Sequence, residues 1–165
     1  MSLRSYVVTA QELGNGWALA QPVRIVQSKN PFTDVEQCAS TPERGEAISA
    51  TYESKAPKGE FQEVIARIGN AAQVLNLVKQ AFASGCLQQA ERQIFTANGG
   101  VNASFVYSPA LKVGTLDQLS LKTPFGTAFM YQYYFQTGEL FAMVSDLTAG
   151  RFDLKPVREA AAQLS

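Results

Sequence analysis

The two cysteines are the residues whose type and spacing say most about the chemistry of this chain. Cys38 and Cys86 are widely separated and form no CxxC motif. Cys86 follows the predicted end of a helix, and Asp34 and Glu36 lie near Cys38 in the sequence. Both surroundings disfavour a thiolate, since reactive thiols need a helix N-terminus or nearby positive charge. These features favour a structural disulfide over two free thiols or a redox site, and a lasting disulfide indicates an oxidising compartment.

The chain contains no histidine, which removes many of the common catalytic and metal sites. Most nucleophilic triads use histidine as the general base, and most zinc sites use it as a ligand. No DxDxDG calcium loop, SxxK motif or glycine-rich phosphate-binding loop occurs, and Gly14-Asn15-Gly16 is a lone GxG in a predicted turn. We therefore predict no catalytic residues, no metal and no cofactor, and we expect that the protein is not an enzyme.

A pair of carboxylates is the one kind of catalytic site that the sequence does not exclude, because two carboxylates could hydrolyse a glycosidic bond. Most of the candidates fall in predicted turns or on polar strand faces. A solvated role is favoured there, since charged side chains are seldom buried without a partner. The candidate residues are Glu12, Glu53, Glu60, Glu63, Asp117, Glu139 and Asp146.

An aromatic run from Phe129 to Phe135 is the strongest indication of a binding surface. In an extended strand Tyr131 and Tyr133 share one face, and Tyr134 lies on the other. A core layer, a ligand groove and a homodimer surface all remain open as interpretations, because aromatic residues are common in each setting.

Trp17 is a second aromatic candidate, and it follows a predicted turn. It is either a binding platform or a core plug that closes a loop over the sheet, and its size favours the plug. The candidate ligand-binding residues are therefore Trp17, Tyr131, Tyr133 and Tyr134. A groove lined by tyrosines would suit an unidentified small molecule of amphipathic or lipid-like character.

The composition indicates one domain over residues 1–165 and argues against nucleic acid as a partner. The 14 basic and 14 acidic residues give a net charge of +0 without any lysine or arginine cluster, whereas phosphate binding relies on clustered cations. No apolar stretch is long enough to span a membrane. The first residues lack the apolar run of a signal peptide. We expect either a cytosolic protein or a chain that begins after a removed signal or membrane anchor.

Hydrophobic periodicity predicts an α+β fold. Residues 47–54 alternate between apolar and polar, and residues 61–68 form the next strand of a hairpin with Val64, Ala66 and Ile68 inward. Apolar residues recur at helical spacing over 70–84, where Asn70 is the predicted N-cap and Gly85 follows the last turn. A C-terminal helix is predicted over 151–164, and further strands over 22–27, 93–96, 102–107, 116–122, 125–135 and 140–146. Short connections favour an antiparallel sheet, with one long central helix and the C-terminal helix packed on it.

Three segments of the chain form a familiar layout. They are the Thr9–Trp17 turn that ends in a Gly-Trp pair, the strand and helix from Phe61 to Ala83, and a cysteine at the helix end with a second cysteine upstream. From Tyr6 to Leu164 this layout resembles the extracellular sensor domain of mycobacterial receptor-type Ser/Thr kinase H and related actinobacterial lipoproteins.

The resemblance implies an antiparallel sheet with helices packed on it, a cleft for a small molecule and an exported location. It also implies a disulfide between Cys38 and Cys86. The kinase sensor domain is expected to carry two disulfides, whereas this chain can form only one. No kinase motif is present, so a signalling role would need another chain or segment.

These observations lead to three functional hypotheses. The first is a non-catalytic, lipoprotein-like ligand-binding or sensor-type domain that is secreted or held in the cell envelope. The second is a structural or interaction protein of the cell envelope that forms a homodimer through the tyrosine-rich strand. The third is a carboxylate-dependent hydrolase.

Overall fold

The computed structural model is built on one antiparallel sheet of seven strands. It describes residues 2–26, 38, 45–56, 58–87, 89–90, 93, 101–108, 114–123, 126–149 and 155–164; for residues 26 and 149 and for the strand residues between 101 and 132 it describes the backbone alone. The order across the sheet is β1-β2-β3-β7-β6-β5-β4. In chain order the strands are β1 (Trp17–Val26), β2 (Ala47–Lys55), β3 (Lys58–Arg67), β4 (Val101–Ser108), β5 (Gly114–Thr123), β6 (Gly126–Thr137) and β7 (Leu140–Ala149).

The helical elements pack on both faces of this sheet. They are a 3-10 turn (Leu3–Tyr6), α1 (Ala10–Leu13), α2 (Ala71–Ala83) and α3 (Lys155–Leu164). The predicted α+β class with an antiparallel sheet is confirmed. The description of one long central helix is not, because α2 has 13 residues and α3 has 10, and they cover opposite faces.

One side of the sheet, named here the disulfide face, is covered by α2. The buried residues of α2 recur at i, i+3, i+4 and i+7 spacing, so a single apolar stripe meets the sheet. The stripe packs against Val64, Tyr134, Phe141 and Met143, and Cys38 lies half-buried against the same cluster. Gly85 follows the helix with a φ of +79°, which suits the predicted glycine at the helix end. Asn70 is the N-cap residue, but its side chain makes no capping hydrogen bond.

The opposite side, named here the Glu63 face, is covered by residues 2–14, called the N-terminal segment, and by α3. Leu3, Val8 and Leu13 of the segment are buried there. Val157, Ala160 and Leu164 of α3 join the same cluster, at the helical spacing that the sequence predicts. The sheet is therefore buried on both sides, and a residue of either parity in a central strand can belong to the core.

Most predicted elements are present with shifted ends. The hairpin of β2 and β3 is confirmed and pairs without interruption from Ala47↔Ala66 to Lys55↔Lys58. The strand predicted over 22–27 starts earlier, at Trp17, because the residues before Pro22 also pair with β2. Proline is tolerated because β1 is an edge strand with register shifts. The strand predicted over 93–96 is not confirmed at residue 93, which is helical, and 94–96 lie outside the described residues.

Candidate functional site

The disulfide between Cys38 and Cys86 is present, with a Cα–Cα distance of 5.8 Å. The predicted structural bridge is thereby confirmed, and neither cysteine is a free thiol. Cys86 lies just beyond α2, so the bridge joins the end of this helix to a residue that packs half-buried on the disulfide face. A disulfide is compatible with an extracellular location. In the parts of the chain that are described, no helix is long and apolar enough to cross a membrane.

Trp17 lies at the start of β1 and is half-buried. Its ring meets Phe61 edge-to-face with ring centroids 6.5 Å apart, and it packs against the apolar cluster of the Glu63 face. This position corresponds to the core plug among the two interpretations of this tryptophan.

The two tyrosines at positions 133 and 134 are both 0% exposed and lie in separate layers. Tyr134 packs on the disulfide face against Phe82 and Phe141, with ring centroids 6.4 and 6.5 Å away. Tyr133 lies on the Glu63 face and stacks on Phe135 at 5.8 Å. One groove cannot contain both rings, so the burial supports the core-layer interpretation for this part of β6.

The backbone of Tyr131 pairs with Gln118 of β5 and Asp146 of β7. Its side chain lies outside the described residues, so its predicted role in ligand binding stays a prediction. Of the four candidates, the structure therefore brings the side chains of Trp17 and Tyr133 to one face and places Tyr134 on the other.

The most unusual feature of the Glu63 face is the Glu63 carboxyl group itself, which is buried although the sequence favours a solvated role. Glu63 and Asp146 are 1% and 0% exposed, so the prediction of a solvated surface role is wrong for both. The reason is topological: β3 and β7 are central strands of a sheet that is covered on both sides. Thr148 Oγ1 donates to the Asp146 carboxylate at 3.4 Å.

Only one oxygen of the Glu63 carboxyl group has a hydrogen-bond partner within the described structure. Oε2 accepts from the backbone N–H of Val8 at 3.0 Å, whereas Oε1 is buried and unpartnered. Burial raises the pKa of Glu63 to about 8; the Val8 hydrogen bond lowers it, and the Glu12 charge raises it. At neutral pH the neutral acid is therefore the major form of this side chain.

The backbone of Val8 is held on both sides by the sheet. Glu63 of β3 accepts from its N–H, and the Tyr52 hydroxyl of β2 donates to its carbonyl oxygen. Burial raises the pKa of Tyr52 to about 12, and the nearby Glu63 and Glu12 carboxylates act in the same direction. The tyrosine therefore remains a hydrogen-bond donor over the whole physiological range. Two side chains distant in sequence from Val8 thus fix the N-terminal segment to the Glu63 face.

A second attachment of the N-terminal segment runs through α1. Thr9 and Glu12 form a complete capping box: Thr9 Oγ1 accepts from the N–H of Glu12, and the Glu12 carboxylate accepts from the N–H of Thr9 at 2.7 Å. The Gln163 amide of α3 donates to the same carboxylate. The hydrogen bonds from Thr9 lower the pKa of Glu12, so this side chain stays ionised.

A second unpartnered polar atom lies on the same cross-strand row as Glu63. Glu63 is paired with Val144 of β7, and Val144 is paired in turn with Tyr133 of β6. Residues opposite each other in neighbouring antiparallel strands point to the same face. The Tyr133 hydroxyl is buried and has no hydrogen-bond partner in the part of the chain that the structure describes, and burial raises its pKa to about 12. Two unsatisfied polar atoms therefore share one apolar layer, on either side of Val144.

The strand pattern of β3 is consistent with an inward position of Glu63, but it does not predict the contact between Glu63 and Val8. Glu63 shares its strand parity with Phe61 and Ile65, which indicates an inward position once both faces are known to be covered. The contact with Val8 joins residues 55 positions apart, and no local pattern announces it. Within the described residues, no group of three or more acidic or cysteine side chains is arranged to hold a metal ion.

Comparisons with protein-family models, with curated proteins and with solved structures give no match.

Proposed function

We propose that this chain is a non-catalytic, exported ligand-binding or sensor-type domain. Its ligand would occupy the interior of the Glu63 face, between the sheet and the cover formed by the N-terminal segment and α3. The observation that carries the proposal is a pair of buried atoms, Glu63 Oε1 and Tyr133 Oη, that have no hydrogen-bond partner among the described residues.

Unpartnered buried polar groups are rare in native proteins because each costs about 1–3 kcal/mol. Two of them on one cross-strand row double that cost within a single layer. A ligand that bonds to both atoms would recover it. The small side chains of Ala50 and Ala142 lie on the same face of the neighbouring strands.

A ligand would reach the layer by displacement of the N-terminal segment. The N-terminal segment is attached by three buried apolar side chains and by hydrogen bonds with side chains: Glu63 accepts from the segment, and Tyr52 and Gln163 donate to it. Each such bond contributes only about 1 kcal/mol net. Opening of the segment would expose the layer without breaking any strand of the sheet.

The compartment and the layout support the same proposal. The Cys38–Cys86 disulfide fits an oxidising compartment outside the cytoplasm. The resemblance to the extracellular sensor domain of receptor-type Ser/Thr kinase H suggests a small-molecule site on a sheet with packed helices. A homodimer through the tyrosine-rich strand gains no support from Tyr133 and Tyr134, because both rings are buried within the chain.

A titration of the folded, disulfide-bonded protein tests the proposal. The probes are nonan-2-one, nonane and nonylamine, followed by two-dimensional ¹⁵N–¹H NMR. We expect saturable shifts for at least one probe at amides of β3, β6 and β7 and of the N-terminal segment. Shifts restricted to other surfaces, or no saturable shifts with any probe, would contradict the proposal.

A pair of matched variants locates the bound probe. Ala142→Leu adds volume to the Glu63 face, and Ala66→Leu adds the same volume to the disulfide face. Overpacking costs about 1–3 kcal/mol in either layer, so both variants are first checked for folding by circular dichroism. Binding should be lost in the first variant and kept in the second. Equal loss in both folded variants would argue against a site on the Glu63 face.

A further inference from the structure

We infer that the Glu63 face binds an apolar molecule through a carbonyl group that accepts hydrogen bonds from the buried Glu63 carboxyl group and the Tyr133 hydroxyl. This inference rests on the proposed function and names the chemistry of its ligand.

The hydrogen-bond inventory of the two side chains assigns their roles. Glu63 Oε2 already accepts from Val8 N–H, so in the neutral acid the proton resides on Oε1. Oε1 is therefore a donor without an acceptor. The Tyr133 hydroxyl is likewise a donor without an acceptor in the described structure. A carbonyl oxygen has two lone pairs and no proton, so it can accept from both donors at once.

The neutral form of Glu63 follows from its surroundings. The carboxyl group is buried among apolar side chains, receives a single hydrogen bond, and has the ionised Glu12 nearby. Burial and a neighbouring like charge both disfavour a second negative charge. The titratable or charged residues on the elements packed on this face are Arg4, Tyr6, Glu12, Tyr52, Tyr133, Asp146, Lys155, Arg158 and Glu159.

The rest of the ligand must be apolar because the layer around the two donors is. Phe61 and Ile65 lie on either side of Glu63 in β3, and Phe135 stacks on Tyr133. Val144 lies between the two donors in the register. A polar tail would lose its hydration in this layer without finding partners. A ketone, aldehyde or ester with a hydrocarbon chain fits these demands.

The three probes separate the possibilities. Nonan-2-one supplies the carbonyl oxygen, nonane has the hydrocarbon chain without it, and nonylamine carries a cation that would pair with ionised Glu63. We expect the ketone to bind most tightly, by about three- to tenfold for each hydrogen bond gained. Equal binding of ketone and alkane on the Glu63 face would overturn this inference but leave the proposed function intact. Tighter binding of the amine would do the same.

Two variants test the donors one at a time. Tyr133→Phe keeps the ring and removes one donor, so ketone affinity should fall about three- to tenfold. Tyr134→Phe is the matched control on the disulfide face and should leave ketone affinity unchanged. Equal affinities of wild type and Tyr133→Phe would exclude the tyrosine as a donor.

The pH dependence tests Glu63 itself. Ketone affinity of the wild type should fall as the pH rises through about 8, because ionised Glu63 can no longer donate. The Glu63→Gln variant cannot ionise, so its ketone affinity should not depend on pH in this range. A wild-type affinity that is flat from pH 6 to 9.5, or a Gln variant that retains the wild-type dependence, would contradict the inference.

Discussion

The two faces of the sheet are buried to a similar degree, but they differ in the elements that cover them and in the polar groups that they contain. The disulfide face is covered by a regular amphipathic helix whose end is joined by a covalent bond to Cys38. The Glu63 face is covered by a short irregular segment and a helix, and it contains a carboxyl group with an unsatisfied oxygen. One layer is therefore reinforced by a covalent bond, whereas the other leaves Glu63 Oε1 and Tyr133 Oη without a hydrogen-bond partner among the described residues.

The largest effect should come from the disulfide face. Phe141→Ala removes a fully buried ring that packs on Tyr134, and such truncations cost about 3–5 kcal/mol. Urea unfolding followed by circular dichroism measures the loss. A cost below about 1 kcal/mol would show that this layer is not tightly packed.

Removal of the disulfide should have the next largest effect. The bridge spans 48 positions, and the chain-entropy model gives about 4 kcal/mol for a loop of this length, with somewhat less expected when the unfolded chain keeps structure. The double variant Cys38→Ser/Cys86→Ser should show this loss of unfolding free energy, and reduced wild type is its control. Identical denaturation midpoints for oxidised wild type, reduced wild type and the double variant would contradict the stabilising role of the disulfide.

The buried Glu63 carboxyl group should make the protein lose stability as the pH rises from about 4.5 to about 8. The folded pKa of Glu63 is raised from 4.5 to about 8, so its contribution is fully present below about pH 4.5 and is lost as the pH rises towards 8. A shift of this size corresponds to at most several kcal/mol of unfolding free energy, and opening of the N-terminal segment would reduce this loss. In Glu63→Gln this part of the pH dependence should disappear. Parallel stability curves for the two proteins would be inconsistent with a buried neutral acid.

A smaller and local effect is expected at Tyr52. Tyr52→Phe removes the donor to the Val8 carbonyl oxygen and should cost about 1 kcal/mol. Amide hydrogen exchange should accelerate in the N-terminal segment and remain unchanged in α2. Uniform acceleration across both regions would indicate global destabilisation instead of a loosened cover.

The smallest effect is expected at Tyr133. Tyr133→Phe removes a buried hydroxyl that has no partner among the described residues, so the unfolding free energy should rise by up to about 1 kcal/mol, because the cost of burying an unbonded hydroxyl is relieved. Thermal unfolding of Tyr133→Phe and Tyr52→Phe compares the loss of a hydroxyl that has no hydrogen-bond partner with the loss of one that donates a hydrogen bond. A loss as large as that of Tyr52→Phe would reveal a hydrogen bond to Tyr133.

The sequence predicts the regular elements of this fold well and its irregular contacts poorly. The alternation of Ile48, Ala50 and Tyr52 correctly indicates a strand with one buried face, and the apolar stripe of α2 correctly indicates a helix on the sheet. Both are local patterns. The disulfide also follows from composition, because only two cysteines exist and their surroundings disfavour thiolates.

The candidate site depends on information that no local pattern contains. Tyr133 and Tyr134 both belong to the core because helices cover both sides of the sheet, which becomes clear only when α2 and α3 are assigned to opposite faces. The environment of Glu63 includes a hydrogen bond from the backbone N–H of Val8, which lies far away in the sequence. Acidic residues are usually exposed to solvent, so this general rule predicts the wrong environment for Glu63.

The ionisation of Glu63 is the most direct measure of the difference between the two faces. A ¹³C NMR titration of the Glu63 side-chain carboxyl carbon, assigned with the Glu63→Gln variant, reports the protonation state of this one group. We expect a midpoint near pH 8, well above the ordinary value of 4.5. A midpoint near 4.5 would mean that the carboxyl group is ionised at neutral pH, which would contradict the buried neutral donor on the Glu63 face.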